Sequence, residues 1–179
     1  MARRVTAARR YAEAAFQTGR AEGNLDAWER DMGAMRSMLA HATLRRLLQH
    51  PAVPFADKER VLREVLGDAV GAGALNLVLL MVRRGRPGAI EPMVDRFGEL
   101  LRRERGIALA RVHSARPLDD AQREAIAARL RALTGEQVEM EETVDPGLIG
   151  GIAVRIGDRL YDASVRSRLE RLRARLTAV

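Results

Sequence analysis

The chain has 179 residues, 47% of them hydrophobic, which suits one large domain or two small ones and excludes a globally disordered protein. It contains no cysteine, which excludes disulfides and thiolate metal sites and fits a reducing compartment. Its net charge of +7 is carried almost wholly by arginine, with Lys58 the only lysine. That balance admits an anionic partner, but arginines alternating with Glu and Asp on solvated helix faces account for it equally well. Aromatic residues make up only 3%, so packing must rest on aliphatic, alanine and methionine side chains. The apolar run at 74–82 is interrupted by Asn76 and is about half of the ~20 residues that a membrane-spanning helix needs.

Residues 3–22 predict a first helix, on which Val5, Ala8, Tyr11, Ala12, Ala15, Phe16 and Gly19 share one broad face. Ala7 and Ala14 form a second strip of small residues, so this helix can pack on its own core and on something else. Asn24 is the expected N-cap of a second helix. There Leu25, Trp28, Met32, Met35 and Leu39 recur at steps of three and four, a narrow seam suited to a bundle. Thr43 is the expected cap of a short third helix carrying Leu44, Leu47 and Leu48, which Pro51 stops. A fourth follows Pro54, with Val61, Leu62, Val65 and Leu66 inward and Gly67 closing it. The fifth, residues 68–84, is apolar nearly all round, as a helix is when it is central to its domain or covered by a partner. In the sixth, Ile90, Val94, Phe97 and Leu101 fall together, and Pro92 is tolerable only in the first turn. Residues 1–105 therefore predict an all-α six-helix bundle.

The period changes near Gly106. Residues 107–114 read as a strand, and Asp119 with Gln122 resembles a capping box opening a helix that carries Ile126, Leu130 and Leu133. Val138, Met140 and Val144 alternate with Glu139, Glu141 and Thr143 in a second strand. Pro146-Gly147 reads as a tight turn with positive φ at the glycine, and Gly150-Gly151 as a second point of backbone freedom or close approach. Ile152, Val154 and Ile156 predict a third strand, Gly157-Asp158 a two-residue hairpin turn, and 159–161 the return strand. Ser164 is the expected cap of a last helix with Val165, Leu169, Leu172 and Leu176 in one stripe and Arg166, Arg171, Arg173 and Arg175 largely off it. Residues 106–179 thus predict a small α/β domain with a mixed sheet in the order β-α-β-β-α.

Candidate chemistry is sparse. His41, His50 and His113 fall on three different predicted elements, so no metal or catalytic cluster is expected. Glu139, Glu141 and Glu142 could suggest paired carboxylates, but alternation puts Glu139 and Glu141 on a solvent face. Turn and cap hydrogen bonds account for Asp145 and Asp162. Asn76 has two readings: a bond to an interior carbonyl, or a bond to a bound partner. Met32, Met35, Met38 and Met81 read as core before they read as a binding groove. Residues 164–179 hold five arginines against one glutamate, a charge that suits RNA or an acidic protein helix. Tyr161 is the only aromatic nearby for stacking a base. On the first helix Arg3, Arg4, Arg9 and Arg10 could steer an acidic partner while Tyr11, Ala12 and Phe16 bury.

Several segments resemble one known family. Asp145-Pro146, 148–151, 155–158 and Asp162 to Ser164-Val165, followed by Arg168-Leu169, look like the C-terminal segment of the delta subunit of the F-type ATP synthase, the bacterial counterpart of the mitochondrial oligomycin-sensitivity-conferring protein. Tyr11-Ala12, Ala14 and Phe16 look like the family's N-terminal pattern, with Arg10 standing where many members have proline. Pro51 with Lys58, and Asn76-Leu77, Leu80 and Arg84-Gly85-Arg86, follow its later spacing. The resemblance begins by Tyr11, which leaves no room for a removable leader. It implies a non-catalytic stator subunit without cofactor or metal, one copy per complex, peripheral at the cytoplasmic face of a bacterial membrane. It further implies that residues 1–105 receive the N-terminal helix of an alpha subunit between the first and fifth helices, through Tyr11, Ala12, Ala15, Leu75, Asn76 and Leu79. Residues 106–179 would meet the C-termini of the peripheral-stalk b subunits through Val165, Leu169 and Leu172. The alternative from another class is a basic RNA-binding adaptor.

Overall fold

A computed structural model describes the backbone of residues 2–177 and the side chains of residues 5–173. The chain separates into two compact units, residues 1–101 and 102–179, and the division falls within the last turn of a helix. The first unit is helical and the second is a small α/β structure.

In the first unit the helices are α1 (Ala2–Ala21), α2 (Leu25–Ala40), α3 (Ala42–Gln49), α4 (Phe55–Leu66), α5 (Ala72–Arg83) and α6 (Ile90–Glu104), with a 3-10 turn at Pro87–Ala89. The alanines of α1 explain how it packs. Ala7, Ala8, Ala12 and Ala15 are all buried, so small side chains set the closeness of its neighbours. Gly19 carries this to its limit, because a Cβ there would lie 2.7 Å from Cδ1 of Trp28. Trp28 in turn stacks on Phe97 at 6.4 Å between ring centroids, and Phe16 meets Phe97 edge-on at 6.1 Å. Met32, Met35, Met38 and Met81 are buried in the same cluster, so the methionines are core and not a groove.

Several local expectations change. Asn24 stands at the N-cap of α2 but its side chain does not cap; Nδ2 donates to Glu22 instead. His41, not Thr43, holds the N-cap position of α3. Gly67 closes α4 in right-handed geometry, not the left-handed form a C-terminal glycine usually takes. A turn separates it from α5, which starts at Ala72 and not at 68. Val5 and Val65 are exposed, at 64% and 47%, because the buried stripe of each helix is narrower than its apolar arc. Pro92 does sit in the first turn of α6.

In the second unit the elements are β1 (Ile107–Ser114), α7 (Asp120–Thr134), β2 (Gln137–Val144), a 3-10 turn (Pro146–Leu148), β3 (Ile152–Ile156), β4 (Arg159–Asp162) and α8 (Val165–Thr177). The sheet order is β2-β1-β3-β4. β1 pairs parallel with β2, Ile107 opposite Gln137, and antiparallel with β3, Val112 opposite Val154. The mixed sheet follows from connectivity: a helix can return the chain parallel, whereas the Gly157-Asp158 turn can only reverse it. Its core is Ala110, Val112, Leu130 and Val154, with Ile126, Val138, Met140 and Tyr161 against it. Leu133, expected in that core, is exposed.

The capping box of α7 is complete. Asp119 Oδ1 accepts from the Gln122 N–H at 2.7 Å, and Gln122 Oε1 accepts from the Asp119 N–H at 3.1 Å. Asp119→Ala is therefore expected to cost about 1 kcal/mol of stability. Urea unfolding followed by circular dichroism checks this; an unchanged midpoint would mean the box contributes nothing.

Candidate functional site

The first candidate surface is the pair α1 and α5, which are in contact. Ala12 and Ala15 on α1 and Leu75 and Leu79 on α5 belong to the hydrophobic core of their unit. Tyr11 is half-buried against that core and Asn76 is exposed. Of the six residues named for a helical partner, the free chain therefore presents Tyr11 and Asn76 to solvent, while the other four lie beneath the surface. The Asn76 side chain makes no hydrogen bond among the described residues, so the interior-carbonyl reading fails. Leu80, one turn from Asn76, is an exposed apolar side chain on a helix that the sequence shows as apolar nearly all round.

The second candidate surface is α8. Val165, Leu169 and Leu172 are spaced by four and three, which sets them on one helical stripe, and all three are exposed. Leu176 and Arg175, expected on and off that stripe, have side chains outside the described residues, as do Arg3 and Arg4 of α1. Arg166 pairs with Glu170 at 3.1 Å, and Arg171 Nε donates to the Ser167 carbonyl.

The segment leading into α8 is held by backbone. The Asp145 N–H donates to the Ser114 carbonyl at 2.7 Å, and Asp145 Oδ1 accepts from the Gly147 N–H at 2.9 Å. The positive φ expected at Gly147 falls instead on Ile149, because Pro146–Leu148 makes a 3-10 turn, while Gly151 meets the expectation of backbone freedom and close approach. Ile149 holds φ +64 and is 70% exposed, an unusual state for a β-branched residue. Gly151 approaches the chain before α8 so closely that a Cβ would lie 2.6 Å from the Ala163 carbonyl oxygen. The Ala163 N–H donates to Ile152 O, and the Val165 N–H donates to Gly150 O.

Asp162 completes the joint. One carboxylate oxygen accepts from the Ser164 N–H and the other from Ser167 Oγ–H, and Ser164 Oγ accepts from the Ser167 N–H. The Ser167 hydroxyl, then Ser164, hold the Asp162 carboxyl down to about 2. A carboxyl depressed in the fold favours folding above its ordinary value and loses that contribution as pH falls through the folded one. Wild-type stability is thus expected to decline between about pH 4 and pH 2 more steeply than that of Asp162→Asn. Parallel acid titrations by circular dichroism check this, and curves of equal slope would remove Asp162 from the account.

Of the three carboxylates named in the sequence, the one not assigned to the solvent face is structural. Glu142 accepts from the Leu118 N–H at 2.8 Å and from Arg123 Nε at 3.2 Å, and the Leu118 bond is first among the causes that lower its carboxyl. Its signal was parity: Glu139 and Glu141 point outward, so position 142 lies on the opposite face with Val138 and Met140. The histidines lie at the two ends of α3 and on β1, and the described residues contain no group of three side chains suited to a metal ion.

Comparison with known proteins agrees over both units. The family model described as the ATP synthase delta (OSCP) subunit matches residues 7–176. The ATP synthase subunit delta of Salinibacter ruber is 37% identical over 172 residues, covering 96% of this chain and 90% of the relative. That of Synechococcus elongatus is 38% identical over 170 residues, covering 94% of each. Among solved structures, a chain of the Toxoplasma gondii mitochondrial ATP synthase hexamer superposes with a TM-score of 0.75 at 26% identity, over 96% of this chain and 98% of that one.

Proposed function

This chain belongs to the ATP synthase delta (OSCP) subunit family, and from that premise we infer that it works as a stator subunit of the F-type ATP synthase. It keeps the catalytic head from turning with the rotor, so that rotation is converted into ATP synthesis. The observation that carries this is likeness along nearly the whole chain, in sequence and in fold, rather than in one motif. No helix among the described residues is long and apolar enough to cross a membrane, which agrees with peripheral association.

The finer assignments are proposals. The subunit is non-catalytic, since a mechanical link needs affinity and stiffness rather than reactive groups. The α1–α5 surface receives an amphipathic N-terminal helix of the alpha subunit. Tyr11 and Asn76 make the first contacts, and Ala12, Ala15, Leu75 and Leu79 form the floor beneath them. The exposed stripe of Val165, Leu169 and Leu172 on α8 meets the C-termini of the b subunits. One copy serves each complex, at the cytoplasmic face of the bacterial membrane. The RNA-adaptor reading has no supporting observation left. Much of the arginine charge is spent on neighbours, as in Arg9–Glu13, Arg63–Glu59, Arg96–Glu99 and Arg123–Glu142.

Calorimetric titration of the full chain with a synthetic alpha-subunit N-terminal helix tests the first contact, with duplex RNA as control. The expected result is one-to-one binding that persists at high salt, because apolar burial is insensitive to screening whereas phosphate contacts are not. Tyr11→Ala should weaken it at least tenfold. Salt-sensitive RNA binding with no peptide binding would overturn the assignment.

A further inference from the structure

The helical unit contains a recess of about 1030 Å³ whose described lining holds four cations and no carboxylate. Arg10 comes from α1, Lys58 from α4, and Arg84 and Arg86 from the turn after α5. Elsewhere in the unit Arg36, Arg60, Arg63 and Arg96 each sit beside an acid, while Arg30 and Arg45 donate to backbone carbonyls. Lys58 donates to the His50 carbonyl at 2.8 Å, which accounts for one of its three hydrogens. Arg10, Arg84 and Arg86 make no ion pair or side-chain hydrogen bond among the described residues.

The backbone fixes where two of these guanidinium groups start. The Gly85 N–H donates to Val82 O and the Arg86 N–H to Met81 O, with Gly85 at φ +68, so Arg84 and Arg86 are anchored on either side of one closed turn. Like charges gathered in a recess repel one another unless an anion joins them. Guanidinium forks match the paired oxygens of an oxyanion. No aromatic side chain among the described residues lines the recess, so it offers nothing on which a nucleobase could stack. We propose that this recess is a binding site for a compact, multiply charged anion of the phosphate class, recognised through its oxygens alone. This goes beyond the stator reading and does not rest on it, because the site lies wholly within one chain.

The test uses the full chain, without any partner, titrated calorimetrically with sodium tripolyphosphate at low salt. One-to-one binding is expected, weakening severalfold as salt is raised. ATP should bind within threefold of tripolyphosphate, since its base finds no platform. The double variant Arg84→Gln/Arg86→Gln should lose at least tenfold in affinity. Arg129→Gln/Arg159→Gln, which removes the same charge from the other unit, should lose less than twofold. Thermal melts followed by circular dichroism establish that both variants are folded. Equal loss in the two variants would reduce the effect to net charge and overturn the proposal. So would absence of binding at millimolar tripolyphosphate, ATP binding more than tenfold tighter, or preference for a glutamate-rich peptide.

Discussion

Gly151→Ala is expected to destabilise the α/β unit by about 2–5 kcal/mol. Two independent costs combine. The residue holds φ +78, where a side chain costs about 1–2 kcal/mol. A new methyl would also sit 2.6 Å from the Ala163 carbonyl oxygen and 3.1 Å from the Ser164 Cα, both backbone atoms that cannot swing aside. Forced repacking of that kind adds about 1–3 kcal/mol. Gly157→Ala separates the two contributions, since Gly157 has φ +54 but nothing within 4 Å of its Cβ position. Urea unfolding of both variants, read by circular dichroism, should show Gly151→Ala as the costlier. Equal costs would mean that the approach of the Ala163 carbonyl is relieved by relaxation and only the dihedral matters.

Phe97→Ala is expected to cost about 3–5 kcal/mol. The ring is 1% exposed and joins α6 to α1 and α2 through Phe16 and Trp28. Removing it empties a space that rigid rings, rather than pliable methionines, surround on two sides, so collapse is poor. Trp28 is the chain's single tryptophan and stacks on the deleted ring, which makes its fluorescence a direct reporter. The expected result is a red-shifted native emission together with a lower unfolding midpoint. A shift in emission without a change in midpoint would show that the cavity is refilled by neighbouring side chains.

Local patterns carried much of this fold. The Asp119/Gln122 capping box, the strand marked by Ile152, Val154 and Ile156, and the Gly157-Asp158 turn each specify a short stretch by themselves, and each is present, although Ala153, expected on the other face of that strand, is buried as well. What depended on distant neighbours was less legible. Val5, Val65 and Leu133 lie on the apolar arcs of their helices, yet periodicity fixes the direction of an arc and not how much of it another element will cover. Residues 107–114 likewise read as a strand without any sign that its neighbours would be a parallel β2 and an antiparallel β3.

The two candidate surfaces differ for a related reason. On α8 an apolar stripe stands out against arginines, so Val165, Leu169 and Leu172 could be read directly. On α1 and α5 the same period marks core and partner groove alike, which is why Ala12, Ala15, Leu75 and Leu79 fall inside. The basic recess left no sequence signal, because Arg10, Lys58 and Arg84 meet only once the helices pack.

The joint before α8 decides how a pull on that helix would be borne. β4 is a four-residue edge strand, and load entering only at its end would unzip it from β3 one bond at a time. The chain is instead fastened beyond β4, where Ala163 and Val165 donate back to Ile152 and Gly150. Tension drawn along α8 thus meets these two bonds before it reaches β4, whose last residue, Asp162, is itself tied forward to Ser164 and Ser167. Release of α8 therefore has to break these further bonds before the four-residue strand can begin to unzip.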